Sequence, residues 1–142
     1  LAAAKKLGEI LGFAQIAELD VDTHDEMIAY LSQLTHCIAV ALMTCRDCEH
    51  MTAYTGDSFR DLTRIARIND EMWSELFLLN KEKLLAQMDL FIDEITRMRD
   101  LLKKGDREGL RDMMRRSTAR RALFDKPVTE TPQSIIEKEN RK

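Results

Sequence analysis

The feature that most limits how this chain can fold is the run from Glu71 to Lys104, which contains neither glycine nor proline. Asn69-Asp70 opens it and Lys103-Lys104-Gly105 closes it, a start and a stop that together predict one unbroken helix. At ~1.5 Å per residue, thirty-odd residues measure roughly 50 Å. A compact domain of this chain's size has a radius of gyration of only about 14 to 15 Å, so the helix overhangs its own domain. Two apolar stripes share it, one through Phe77, Leu84, Met88, Phe91, Ile95, Met98 and Leu102, the other through Trp73, Leu76, Leu85 and Ile92. Two faces that both need cover point to a second subunit.

The rest of the chain reads as helix as well. It holds five glycines and two prolines, and both prolines, Pro127 and Pro132, stand near the end. Leu1 to Ile10 has helical composition, with Gly12 placed as a C-terminal cap. Phe13, Gln15, Ala17 and Leu19 then alternate with their neighbours in a pattern that permits one short strand, for which the chain offers no pairing partner. That orphan strand suggests a missing neighbour upstream. Thr23 with Glu26 reads as a capping box for a second helix, along which Met27, Leu31, Leu34, Ile38, Ala41 and Cys45 share a face. Ala29, Ala39 and Ala41 would let a neighbour approach closely. A polar stretch from Arg46 to Thr55 leads to Gly56 and a short helix from Phe59 to Ile68. Asp106 can cap a last helix to about Phe124, and Pro127 to Lys142 reads as a polar tail.

Composition excludes several functions. With 22 basic and 25 acidic side chains the net charge is -3, too balanced to announce a nucleic-acid or membrane-surface partner. Three cysteines without a charged-then-apolar leader favour free thiols and a reducing, cytoplasmic setting. Met27 to Cys45 is the longest uncharged stretch, but Ser32, Gln33, Thr35 and His36 interrupt it, so it reads as a buried helix rather than a membrane span. No G-x-G-x-x-G and no G-x-x-x-x-G-K-[ST] is present, and the chain alone is expected to bind no dinucleotide.

Four groups of residues could carry chemistry. Cys45-Arg46-Asp47-Cys48 with His50 has zinc-like spacing but lacks a second ligand pair, which favours a plain helix end and no metal. Ser32 and His36 lie one above the other on an apolar helix face, with Gln33 beside them, where the imidazole is either a satisfied core group or a donor to a ligand. Arg64 sits among apolar residues on a short helix; its fork either pairs with Asp61 or awaits a carboxylate. Trp73 is either core or the wall of a pocket. Arg111, Arg115, Arg116, Arg120 and Arg121 are interleaved with acids and lack aromatics, as a solvated face would be.

Taken together, three segments resemble prephenate dehydrogenases. They are His24-Asp25 followed by Ser32-Gln33-Leu34-Thr35-His36; Gly56-Asp57-Ser58-Phe59-Arg60-Asp61-Leu62-Thr63-Arg64-Ile65-Ala66; and Met72-Trp73 with Asn80 beyond. That family's helical half reads H-D, S-H/Q-L-P-H, G-x-F-x-D-x-T-R-I-A, then M-W and N, and the resemblance runs from about Leu7 to Phe124. It implies an all-α dimerisation domain of the 6-phosphogluconate-dehydrogenase C-terminal type, preceded by a helix-strand remnant. Residues 1–20 would end a nucleotide-binding domain, 21–125 would form the dimerisation and substrate-binding domain, and 126–142 would be the tail. The implied activity of the complete enzyme is NAD-dependent oxidative decarboxylation of prephenate to 4-hydroxyphenylpyruvate, for tyrosine synthesis, in a homodimer. The principal catalytic histidine and the NAD site would lie upstream, leaving this chain inactive alone.

Position by position, the resemblance implies that Arg64 anchors a substrate carboxylate and Asp61 steadies it. His36, Ser32 and Gln33 would line the pocket, Trp73 would help close it, and Gly56, Asp57 and Ser58 would border it, where the family also takes tyrosine as a feedback inhibitor. Gln33 stands where the family's second histidine usually does, Thr35 where a proline does, and Asp57 and Ser58 where glycines do. Arogenate dehydrogenase and a non-catalytic helical dimerisation or regulatory module are the alternative readings.

Overall fold

The structure, a computed structural model, describes residues 1–13, 16–47 and 49–125. It divides into two compact units, Leu1–Asp93 and a second that begins at Glu94. All the regular structure among the described residues is helical: α1 (Ala2–Ile10), α2 (Val21–Ile28), a π-helical turn (Ala29–Gln33), α3 (Leu34–Thr44), a 3₁₀ stretch (Glu49–Tyr54), α4 (Asp57–Thr63), a 3₁₀ turn (Arg64–Ala66), α5 (Asp70–Leu79), α6 (Lys81–Lys104) and α7 (Arg107–Ala122).

The glycine stops work as their positions suggest. Gly12 and Gly105 take φ of +81° and +65°, the left-handed conformation that costs glycine least. After each, the chain turns back on its helix: Gly105 N–H donates to Leu102 O and Asp106 N–H to Leu101 O, at 3.1 and 3.0 Å, and Gly12 and Phe13 repeat the pattern on Glu9 and Gly8. At the helix starts, Asn69 accepts from Met72 N–H and Asp106 from Gly109 N–H.

The second helix starts earlier than the capping box predicts. Its cap is Asp20, whose carboxylate accepts from both the N–H and the hydroxyl of Thr23 at 2.9 and 2.7 Å. Thr23 is therefore a donor to the cap and lies inside the helix. The expected strand from Phe13 to Leu19 is corrected as well. Phe13 and Ile16–Asp20 form no strand, while Ala14 and Gln15 lie outside the described residues. An extended segment with no second strand beside it has no ladder to join; Ile16 instead packs so close to α1 that a Cβ on Gly8 would meet its Cδ1 at 2.7 Å. The expected tail, 126–142, also lies outside the described residues.

The run Val21–Thr44 has the length and apolar composition of a membrane span. Within the first unit, however, it buries Ala29, Gln33, Leu34 and Ala39 against protein. That buried face differs from the predicted stripe, since Met27 and Leu31 are exposed. The π turn lies between: its wider ring inserts a residue into the helical count, so residues before and after it do not keep a single α-helical stripe.

The single long helix also requires correction. Asn80, at φ -110° and ψ 27°, interrupts it and separates α5 from α6. Its backbone still bridges the break, donating to Leu76 O and accepting from Leu84 N–H. Of the two predicted stripes, Leu84 is buried, Trp73, Phe77, Met88 and Met98 are half-buried, and Leu76, Leu85, Phe91, Ile92, Ile95 and Leu102 stay exposed.

Contacts along the first unit set α5 and the start of α6 antiparallel to the Val21–Thr44 run. His36 meets Trp73, Gln33 meets Leu76, and Lys83 pairs with Asp22 at 2.7 Å. The bond to Asp22 holds the Lys83 ammonium above its ordinary pKa, so the lysine's contribution is present through neutral pH and is lost as pH rises through that raised value.

Thr23 holds the Asp20 carboxyl below its ordinary range by hydrogen-bonding its ionised form. Because the folded pKa is the lower one, the contribution is present above the unfolded value and lost as pH falls through the folded value. Asparagine caps as well as aspartate without titrating. Asp20→Asn should therefore leave the melting temperature near pH 7 close to wild type and reduce its fall on acidification to about pH 3. An undiminished acid-induced fall in thermal melts would show that the cap is not what titrates.

Candidate functional site

The site is built where the π turn faces α5. At the turn's end, Leu34 N–H reaches back to Ala29 O, five residues away. The Ser32 carbonyl accepts from Thr35 Oγ1 at 2.7 Å and from His36 Nδ1 at 2.9 Å. A carbonyl can only accept, so Nδ1 carries the proton and the neutral ring presents Nε2 as an acceptor. The imidazole is fixed on its face too, stacked on Trp73 with centroids 3.9 Å apart and planes 28° from parallel. Trp73 in turn leans on Phe77 at 5.5 Å. An aromatic ring held by one edge and one face has a single functional edge left, and here that edge is Nε2.

Gln33 turns its amide to protein groups. It is only 4% exposed, and its amide is engaged on both ends: Nε2 donates to Leu76 O at 3.0 Å, and Oε1 accepts from Asn80 Nδ2 at 2.9 Å. Asn80 Nδ2 also donates to Asp25 O at 2.9 Å. These bonds tie three segments together and leave the Gln33 amide within the protein. His24 and Asp25 pair with each other at 3.0 Å, while the Asp25 carbonyl serves Asn80.

Arg64 begins the 3₁₀ turn that follows α4, and both that turn and α4 pack on α3, the helix that carries His36. The Arg64 side chain is exposed and makes no ion pair or hydrogen bond with any described residue. The expected Asp61–Arg64 pair does not form; Asp61 is likewise exposed. The change from α to 3₁₀ between them alters the angular step that would align residues three apart, with Thr63 at φ -96° and ψ -2°. Arg60, by contrast, is occupied, donating to Thr55 O at 2.7 Å and lying 3.8 Å from Asp57. Gly56, Asp57 and Ser58 form the exposed start of α4, with Gly56 at the N-cap.

Other candidates do not gather into sites. Among the described residues no three His, Cys, Asp or Glu side chains form a metal-holding group; Cys48 lies outside them. Burial raises the Cys37 pKa, keeping that thiol protonated and a poor nucleophile. The α7 arginines are met by nearby acids: Arg111 by Glu108, Arg115 and Arg116 by Asp112, Arg116 also by Glu94 of α6 at 3.9 Å, and Arg121 by Asp125 just past the helix. The glycines Gly8, Gly12, Gly56, Gly105 and Gly109 are scattered, and none forms the closely spaced turn a dinucleotide pyrophosphate requires.

Sequence reasoning missed Asn80 as a joint. A signal was available: asparagine is a weak helix former that favours helix ends, and it stands alone between Leu79 and Lys81 in an otherwise helical run.

These features define a class, a helical module that brings an imidazole, an indole and a turn whose arginine is unpaired among the described residues onto one scaffold. Residues 20–116 match the family of the prephenate dehydrogenase dimerization domain, and the chain belongs to that family. It is 30% identical over 104 residues to a prephenate dehydrogenase of Bacillus subtilis, a match covering 68% of this chain and 28% of the relative. A cyclohexadienyl dehydrogenase of Zymomonas mobilis is 30% identical over 112 residues, covering 74% of this chain and 38% of that protein. The chain thus spans well under half the length of these curated relatives. Among solved structures, prephenate dehydrogenase from A. aeolicus, in complex with hydroxyphenyl propionate and NAD+, matches at a TM-score of 0.76 and 26% identity, covering 87% of this chain and 45% of that one. Arogenate dehydrogenase of Synechocystis matches at 0.77 with 18% identity, over 87% and 47% of the two chains, a likeness of fold.

The group that holds His36 Nδ1 is the main-chain carbonyl of Ser32 rather than its hydroxyl. Ser32→Ala should therefore leave the imidazole tautomer unchanged. Nitrogen NMR of His36 should report a protonated Nδ1 in both forms at alkaline pH, and a switch to protonated Nε2 in the variant would refute the backbone anchor.

Proposed function

We propose that this chain is the dimer-forming, substrate-holding part of a cytoplasmic, NAD-dependent prephenate dehydrogenase, with Arg64 as the carboxylate anchor. The observation that carries this reading is Arg64 itself, a guanidinium without a partner among the described residues, on a turn packed against the helix of His36. An arginine fork grips a carboxylate bidentately, and prephenate carries two. His36 offers Nε2 to a hydroxyl or, once protonated, to a carboxylate, and Trp73 gives the pocket an apolar wall. NAD would be held elsewhere in the complete enzyme, in keeping with a sequence that carries no glycine-rich dinucleotide motif. What they supply is binding and orientation, holding the substrate ring for a reaction completed by groups outside them.

Family membership and the uncovered stripes of α6 support a homodimer, since Leu85, Phe91, Ile92, Ile95 and Leu102 are exposed on one helix. Light scattering should give twice the chain mass at micromolar concentration, and a well-behaved monomer would remove this part of the proposal.

Arg64→Ala in the complete enzyme should raise KM for its substrate by at least about tenfold, the loss of one charge-assisted contact, with a smaller effect on kcat. Steady-state kinetics with prephenate and with arogenate checks the anchor and identifies the preferred substrate. An unchanged KM for both would withdraw Arg64 from the site. Tyrosine, the family's feedback ligand, should compete with the substrate if Gly56, Asp57 and Ser58 border the same pocket.

A further inference from the structure

We infer that Gln33 and Asn80 are positioning residues: their paired side-chain amides lock the π turn to the α5–α6 break and thereby hold His36 against Trp73. This role rests on the proposed function for its catalytic meaning, but its geometry stands by itself.

The register carries the argument. Gln33 meets Leu76, and three residues onward His36 meets Trp73, three residues back from Leu76. Residues three apart share a helix face, so the amide bond and the ring stack are successive rungs between the same two faces. The Leu76 carbonyl accepts from Gln33 Nε2 at 3.0 Å and from Asn80 N–H at 3.3 Å, which places the helix break and the glutamine on one acceptor. Asn80 uses both amide hydrogens across the interface, one on Asp25 O and one on Gln33 Oε1, each at 2.9 Å.

Two properties make this a positioning device rather than general packing. Hydrogen bonds fix distance and direction, whereas the neighbouring apolar contacts allow sliding. The π turn is also a local irregularity with a regular α-helix as its alternative, so its register needs a specific partner. Ala29, fully buried at the start of the turn, leaves room for that approach. Without the amides, the helix that carries His36 can rotate or shift relative to α5, and the imidazole leaves the indole.

Trp73 is the chain's one tryptophan, so the long-wavelength end of its near-ultraviolet circular dichroism reports the surroundings of that indole, on which His36 is stacked. In the 142-residue chain, Asn80→Ala and Gln33→Met should lose this band while the far-ultraviolet helical signal is retained. Gln33→His should keep it, because a neutral imidazole still offers one donor and one acceptor. An unchanged band in Asn80→Ala and Gln33→Met would overturn the inference, as would Gln33→His losing the band as fully as Gln33→Met. Loss of the helical signal in both Asn80→Ala and Gln33→Met would also overturn it, making the amides supports of the whole unit. In the complete enzyme, Asn80→Ala should raise KM for prephenate about tenfold with kcat within about twofold. A lost Trp73 band with unchanged KM would remove the positioning role. If the unsubstituted enzyme fails to turn over prephenate, the proposed function alone falls, because the Trp73 band requires no substrate.

Discussion

The side-chain amide of Asn80 meets the Asp25 carbonyl and the Gln33 amide at once, and much of the first unit depends on that meeting. A buried amide left unpaired costs on the order of 1 to 3 kcal/mol, so each of these groups requires the others to be in place. The same bonds account for two irregularities, a break in the longest helical run and a π turn in the most apolar one. Neither is a defect of local propensity alone. Each opens the backbone at the level where the two runs cross-connect, and the His36–Trp73 stack follows one helical turn away.

Apolar burial contributes little to this specificity. Among the described residues only Ala29, Leu34, Ala39 and Leu84 are buried apolar side chains, while large apolar groups remain open along α1, α5 and α6. Apolar contacts favour proximity without choosing a register, which makes hydrogen bonds and ring contacts the elements that select one. Uncovered faces of this extent are what a domain presents when its neighbours complete the core, in agreement with a dimerization-domain family whose curated relatives are much longer than this chain.

The helical fold was legible because it rests on local rules. Gly12 and Gly105 end helices where only glycine adopts positive φ cheaply, and Asn69 and Asp106 begin them with side chains that accept orphan amides. Local rules also misled. Thr23 with Glu26 fits a capping box, yet Asp20 three residues earlier offers a carboxylate that takes two bonds from Thr23. Alternation at Phe13 to Leu19 fits a strand, but a strand is a property of two segments, and pairing cannot be read from one. For the site, Arg64, His36 and Trp73 could be singled out by residue type, while the absence of an Asp61–Arg64 pair and the commitment of Gln33 to Leu76 and Asn80 could not.

By itself, then, the sequence determined an all-helical chain with identifiable starts and stops, and the motifs of the prephenate dehydrogenase family. Those follow from backbone propensity, capping chemistry and the presence or absence of residue types, each legible within a few positions. Only the tertiary structure decided that the long run breaks at Asn80, that Gln33 faces protein, and that the His36 ring commits Nδ1 to the Ser32 carbonyl. Each of these depends on a partner about forty or more residues away or on a carbonyl freed by an irregular turn. Such partners have no signature in the local pattern, because a hydrogen bond across helices depends on where two separate faces meet in space.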